Sequence, residues 1–289
     1  MEKLLHWSIA NAQGDDEAIA KAGQPDPKLL QQLFGGGPDE PTLMKQAIAV
    51  IMNPEAELDN KLIAFDNFEM LIENLDNANN IENLKLWGPL IEILDSPEEE
   101  LRVASLSVIG TAVQNNSKSQ ESFVKNEGGL EKVIGLAKDT TQSSQVRTKS
   151  FYALSSLVRH NSTVCELVVQ NEGLDLIKPV LNDSSLSEKL KLRVLAFLAA
   201  ILTTVNIEQS FLDSLRKDKL IESSIDFLDP SVNIYLIDRA LNFLAILSQS
   251  HVKFEKSEIT KLQSSFKKLE ALKNRLNEED YETVRQILE

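Results

Sequence analysis

NEGGLEKVIGLAK (Asn126–Lys138), SSQVRTKSFYALSSLVRHNSTVCELVVQ (Ser143–Gln170) and NEGLDLIKPV (Asn171–Val180) decide the fold. The tetrad Asn126-Glu127-Gly128-Gly129 returns as Asn171-Glu172-Gly173. After each return comes an apolar helix, a polar break, and a second apolar helix with an arginine near its start. Such a unit cannot bury its own apolar face, so it must stack on copies of itself, which makes a solenoid.

The period extends in both directions. Arg102, Arg147, Arg193 and Arg239 precede the apolar runs LRVASLSVIG, VRTKSFYALSSL, LRVLAFLAAIL and DRALNFLAIL, at spacings of 45, 46 and 46 residues. HEAT and armadillo arrays repeat at roughly 40–47 residues, with two or three helices per unit. Lys61 stands in the arginine's place in a divergent first unit, as expected of a capping repeat. Ser257 to Leu276 and Glu278 to Leu288 read as polar helices that cap the far end. The fold class is therefore all-α: an armadillo-like superhelical solenoid over 39–289, with a flexible N-terminal segment over 1–38 and a helical C-terminal cap. Gly35-Gly36-Gly37-Pro38 breaks the helical pattern and marks the hinge. Thr42 is expected to cap the first helix, and Ser96 with Pro97 to open the helix carrying Glu98, Glu99 and Glu100.

Charge and composition narrow the function. A net charge of −14 repels phosphate backbones and argues against nucleic-acid binding. The same charge favours a basic partner surface. No apolar run is long enough to span a membrane, and MEKLLHWSIANAQ lacks the apolar core of a signal peptide. A cytoplasmic address follows. The single cysteine, Cys165, reads as a small buried residue in a reducing compartment. The glycosylation-type triplets at Asn115, Asn161 and Asn182 carry no weight without a secretory signal.

No pattern of reaction chemistry emerges. His6, His160 and His251 are isolated, with no second ligand at metal spacing. His160 and His251 follow helix ends, where an imidazole meets the dipole. Gly35-Gly36-Gly37-Pro38 lacks the Lys and Ser/Thr of a phosphate loop. The chain reads as a non-enzyme without cofactor or metal, whose function lies on the concave face of the array. Both ends look capped, which points to a monomer.

The units resemble armadillo repeats, but depart from the nuclear-import receptors, which carry a Trp and, four residues later, an Asn on the groove helix. Here the matching positions are Ser107 and Thr111, Tyr152 and Ser156, Leu198 and Leu202, Leu244 and Ser248. Three further stretches are similar to the fungal Fes-type and HspBP-type nucleotide exchange factors of DnaK-class (seventy-kilodalton) heat-shock chaperones: LLHWSIANAQ, GQPDPKLLQQLFGGGPDEPTLMKQAIAVIMNP and KLIAFDNFEMLIENLDNANNIENLKLWGPL. The similarity covers essentially the whole chain. It implies a cochaperone whose concave face embraces the ATPase domain of a cytosolic chaperone, opens the nucleotide cleft, releases ADP and promotes client release, with a link to nascent chains and translation.

By that resemblance, Ala78 and Asn79, in the loop after the first repeat, meet the chaperone. By ladder position, Arg147 and Arg193 line the groove with Lys149 and Tyr152 nearby, although an arginine in every repeat also suits a packing role. Leu4, Leu5, Trp7 and Ile9 form an apolar N-terminal motif with two readings. It folds onto the solenoid as a short helix, or it stays mobile and resembles a chaperone client. Periodicity alone leaves a passive armadillo scaffold or a transport adaptor open.

Overall fold

In the computed structural model, residues 38–289 are described. The N-terminal motif Leu4, Leu5, Trp7 and Ile9, and the Gly35-Gly36-Gly37 hinge, lie outside them. The chain divides between Met44 and Lys45, and the architecture below concerns Lys45–Glu289. The described residues form sixteen α-helices and two 3-10 turns, without a strand.

Helix α1 spans Glu40–Met52 and α2 spans Leu58–Ile72. Four three-helix repeats follow. The first is α3 (Leu75–Asn83), α4 (Trp87–Ile93) and α5 (Glu99–Val113). The second is α6 (Ser117–Lys125), α7 (Gly129–Lys138) and α8 (Ser144–Val158). The third is α9 (Ser162–Gln170), a 3-10 turn (Gly173–Leu176) running into α10 (Ile177–Leu181), and α11 (Glu188–Leu202). The fourth is α12 (Gln209–Lys217), α13 (Leu220–Asp226) and α14 (Ile234–Gln249). The chain closes with α15 (Lys256–Leu269), a 3-10 turn (Glu270–Arg275) and α16 (Glu278–Gln286). The expected helix over Ser257–Leu276 is thus two elements.

The extra helix in each unit comes from corners that periodicity does not reveal. Lys85, Gly128, Glu172 and Lys219 all have positive φ, between 59° and 75°, at the turn from first to second helix. Asn115, His160 and His251 do the same, at 51° to 59°, after the long third helix. One left-handed residue ends a helix by turning its last carbonyls toward new donors. His160 and His251 serve these corners through their backbone. Asn116 and Asn161 then cap the next helix, each accepting from the backbone N–H three residues on. Asn161 is buried in that role.

Gly129 and Gly173 share a different constraint. A Cβ on Gly173 would stand 2.6 Å from the Val168 carbonyl oxygen, and one on Gly129 would stand 3.0 Å from Ile91. The glycine that recurs in sequence marks close approach at the start of the second helix. The left-handed turn itself falls one residue earlier, on Gly128 and Glu172.

Two expected helix starts also shift. Asp39, not Thr42, accepts the Thr42 N–H at 3.0 Å and opens α1. α5 begins at Glu99 rather than at Pro97. Ser96 Oγ accepts from Glu98 N–H, while the Arg102 guanidinium donates to the Ser96 and Pro97 carbonyls at 2.6 and 3.0 Å.

The long helices stack in the order α2, α5, α8, α11, α14, α16. Their inward faces supply the core: Phe65 and Phe68, Leu106 and Ile109, Phe151 and Leu154, Phe197 and Leu198, Phe243 and Leu244 are essentially fully buried. Phe151 and Phe197 meet at 5.8 Å between centroids. Buried polar groups tie repeats together. Asn161 donates to Gln120, whose amide donates to the Ser156 and Arg159 carbonyls at 2.8 and 3.0 Å. Each such donor would be costly to leave unpaired in the interior.

Candidate functional site on the row of long helices

The outer face of the long-helix row is set by register, and the register is set by the N-caps. The Ser143 and Ser187 hydroxyls accept from the N–H groups of Val146 and Leu190, and so align α8 with α11 at a spacing of 44 residues. Burial repeats at the same spacing. The four arginines that look equivalent in sequence therefore occupy two different positions. Lys61, Arg102, Arg147 and Lys191 fall at the fourth residue of their helices. Ala104, Lys149, Arg193 and Arg239 fall at the sixth. The receptor-type pairs shift likewise: in the last two repeats the positions matching Tyr152 and Ser156 are Ala196 and Ala200, then Asn242 and Ile246.

The fourth-position residues serve packing. Arg147 is only 5% exposed, and its Nε donates to the Ala137 carbonyl at the end of α7, at 3.1 Å. A cation there satisfies a terminal carbonyl and opposes the negative end of the helix dipole. The structure therefore does not bring Arg147 to the outer face with Lys149 and Arg193.

The sixth- and ninth-position residues form a connected polar surface. Tyr152 is its centre. The Lys149 ammonium lies 5.4 Å from the Tyr152 ring centroid, and the Arg193 guanidinium carbon lies 5.2 Å from it. Both distances are within cation–π range. Lys149 Nζ donates to Ser107 Oγ at 2.8 Å. Ser107 and Thr111 hydroxyls donate to one carboxylate oxygen of Glu69 at 2.9 and 2.7 Å. Thr111 Oγ1 lies 3.3 Å from the Tyr152 hydroxyl. The Tyr152 hydroxyl donates to Gln114 Oε1, at 3.4 Å. One chain of contacts thus runs from α2 through α5 and α8 to α11.

The sequence marks Ser107 and Thr111 as groove positions but offers no local signal for Glu69, since their pairing joins residues 38 and 42 positions apart. Burial pushes the Lys149 ammonium pKa down; the nearby Glu69 carboxylate opposes this, and the Arg193 and Lys189 cations add to it. The chain is acidic overall, yet the middle of this face carries Lys149, Lys189, Arg193 and Arg239. The carboxylates of Glu69, Asp238 and Asp280 lie among these cations, so the local surface is closer to balanced than the net charge suggests.

Ala78 and Asn79 lie on helix α3, not in a loop. Ala78 is buried and lines a cleft of about 230 Å³ with Ile72, Leu75, Thr111 and Gln114. Thr111 belongs to both the cleft and the Tyr152 network, so the structure brings Ala78 to the same surface as Lys149, Tyr152 and Arg193. Asn79 sits beside it, with its side-chain oxygen 3.5 Å from the Ser119 hydroxyl.

Reaction chemistry has little to work with here. No cluster of His, Cys, Asp and Glu among the described residues is arranged to hold a metal ion. Cys165 is buried, and burial pushes its thiol pKa up to about 12. No helix among the described residues is long and apolar enough to cross a membrane. What the face offers is recognition: a cation-flanked aromatic, fixed hydroxyls and an adjoining cleft.

Known proteins resemble this chain in sequence and in fold. The family described as "Nucleotide exchange factor Fes1" matches residues 1–81, and the "SIL1/FES1/HPBP1 C-terminal domain" matches residues 77–224. The chain is 59% identical to the Hsp70 nucleotide exchange factor FES1 of Eremothecium gossypii, covering 100% of both chains. It is 57% identical to the protein of that name from Saccharomyces cerevisiae, again over 100% of each. Among solved structures, a designed armadillo repeat protein superposes with a TM-score of 0.67 at 18% identity, covering 85% of this chain and 98% of that one. A second, solved in complex with the peptide (KR)4, gives 0.67 at 16%, covering 85% and 99%. These two likenesses concern the fold.

Proposed function

The chain belongs to the Fes1 family of nucleotide exchange factors, and from that premise we propose how it acts. It is an Hsp70 nucleotide exchange factor. The long-helix face centred on Tyr152 binds the chaperone's ATPase domain, with Ala78, Lys149 and Arg193 at the contact. The protein works as a monomer in the cytoplasm, performs no chemical step itself, and supports folding of newly made chains and so translation.

The observation that carries this reading is the continuous network from the Ala78 cleft through Glu69 and Lys149 to Tyr152 and Arg193. Its buried members, Ala78 and Ser107, back the part-exposed Lys149 and Tyr152 and the exposed Arg193. Such a surface is preorganised, so little ordering is lost on binding.

Exchange follows from linkage alone. A factor that binds the open ATPase domain better than the closed one weakens ADP binding, and ADP weakens the factor by the same ratio. A coupling of about 3 kcal/mol corresponds to more than a hundredfold. Loss of ADP lets ATP enter, and the chaperone then releases its client.

Calorimetric titration of the isolated ATPase domain, with and without saturating ADP, tests the reading. ADP should weaken the complex by about tenfold or more. Equal affinity in both titrations would leave a passive armadillo scaffold.

A further inference from the structure

The short first helices of successive repeats form a row of their own, in which α3 packs on α6 and α6 on α9. The first junction is tied by Trp87, whose Nε1 donates to Ser122 Oγ and whose ring meets Phe123 at 5.3 Å between centroids. The second is tied by the buried pair Gln120 and Asn161, at 3.1 Å. At the third junction the row breaks. α12 has at most slight contact with α9, and no hydrogen bond or ion pair joins the two helices among the described residues. Its contact with α11 is equally slight, although α6 and α9 each pack on the long helix before them.

The connecting chain differs in the same place. Three residues join α5 to α6, and three join α8 to α9, each set with a left-handed corner, at Asn115 and His160. Six residues, 203–208, join α11 to α12, and none of them is left-handed. Thr203 and Thr204 turn their hydroxyls back onto the Ala199 and Ala200 carbonyls, at 2.9 and 2.8 Å, a bond that bends a helix end. α12 buries only Leu212 and Leu215, and its firm tie runs forward. Arg216 donates to the buried Glu258 carboxylate at 2.9 Å and to the Lys253 carbonyl at 2.8 Å. Lys261 with Asp226, Lys268 with Asp229, and the Asn277 N–H on Asp238 continue that body to α16. What crosses the junction is the contact of α11 with α14, that of α10 with α13, and a few exposed polar pairs. These are Lys178 with Asp218 at 3.2 Å, Ser223 with Asn182 at 2.6 Å and Asn233 with Glu188 at 3.0 Å. Exposed pairs of this kind hold little.

We propose that the junction between the third and fourth repeats is a hinge. Residues 209–286 rock as one body on the α11–α14 contact, and the chaperone's ATPase domain, once bound, fixes one setting. Packed helices slide or rotate against each other by small amounts, while a few element-terminal residues absorb the change; here those residues are 203–208. The hinge gives the array more than one curvature, so that it can meet the open ATPase domain without strain in its first three repeats. The hinge is a property of the free chain, whereas its fixing by the ATPase domain rests on the exchange reading.

Glu121, Glu166 and Asp213 are exposed and stand at the fifth residue of α6, α9 and α12. In a full-length Cys165→Ala background, spin labels on Glu166→Cys with Asp213→Cys span the break, and labels on Glu121→Cys with Glu166→Cys span the intact junction before it. Double electron–electron resonance on the free chain should give a distance distribution about twice as broad across the break as across the control. Saturating ATPase domain should narrow it to the control's width. Equal widths in the free chain, whether narrow or broad, would overturn the hinge. A break distribution that stays broad with the ATPase domain bound would overturn its fixing by the chaperone. Hydrogen exchange reads the same hinge in the unlabelled chain: amides of residues 203–212 should exchange about tenfold faster than those of residues 158–165. Equal protection of the two stretches would also overturn the hinge. Failure of the exchange reading is separately visible, as ADP release that stays slow while the free chain keeps its broad distribution.

Discussion

The Tyr152 ring lies against Gly110, so close that a Cβ on Gly110 would stand 2.6 Å from Tyr152 Cδ1. Gly110 is the twelfth of the fifteen residues of α5, within the helix, where glycine is unfavourable by up to about 1 kcal/mol relative to alanine. Its presence is explained by the ring that needs the space. The two residues, 42 positions apart, hold the centre of the proposed binding face in place.

Gly110→Ala should therefore push the Tyr152 ring off α5 without unfolding the chain, since a half-buried side chain can swing outward. Chaperone affinity should fall about three- to tenfold, with the melting temperature unchanged or slightly raised. In a Tyr152→Ala background the same substitution should cause no further loss, which a double-mutant cycle reads directly.

Arg147 and Arg193 should separate stability from binding. Arg147→Met leaves the buried Ala137 carbonyl without its donor and should cost about 1–3 kcal/mol in urea unfolding, with exchange per folded molecule intact. Arg193→Ala removes an exposed side chain and should change stability by less than about 0.5 kcal/mol, while weakening the complex roughly tenfold.

Two glycines should respond oppositely to alanine. Gly173→Ala drives a methyl group against the Val168 backbone and should destabilise by about 1–3 kcal/mol. At Gly135, within α7, an added methyl group would meet nothing within 4 Å. Gly135→Ala should stabilise by up to about 1 kcal/mol. Thermal unfolding of both variants checks the pair.

Cys165 should resist alkylation in the native state and react on unfolding. Its folded pKa, raised by burial to about 12, lies above the 9.0 of an unburied thiol. Between these values the folded state holds a proton that the unfolded state releases. Its contribution to stability is therefore present below pH 9 and declines as the pH rises toward 12. Cys165→Ala should remove that alkaline component from a pH series of melting temperatures.

The fold is readable in sequence because a solenoid writes its core once per repeat. Apolar runs, proline breaks and the recurring glycine each appear several times, and the second helix and the long third helix follow from them. The short first helix does not, because its boundaries are left-handed corners at ordinary residues such as Lys85, His160 and Lys219. The arginine ladder misleads for a related reason. Arg147 and Arg193 are 46 residues apart while their helices start 44 apart, so they fall at the fourth and the sixth residue. The serine caps Ser143 and Ser187, spaced by 44, carry the true register and are present in the sequence. The Tyr152 network is legible in part: Lys149, Tyr152 and Arg193 stand out by position. Their link to Glu69 and Thr111 depends on side chains from three helices meeting, which no local pattern encodes.

Stopped-flow release of a fluorescent ADP from a purified cytosolic Hsp70 tests the central assignment most directly, with wild type, Gly110→Ala and Arg193→Ala compared at equal concentration. Wild type should accelerate release strongly, and both variants should need several times more protein to reach the same rate. Acceleration undiminished in both would remove the Tyr152–Arg193 face from the mechanism.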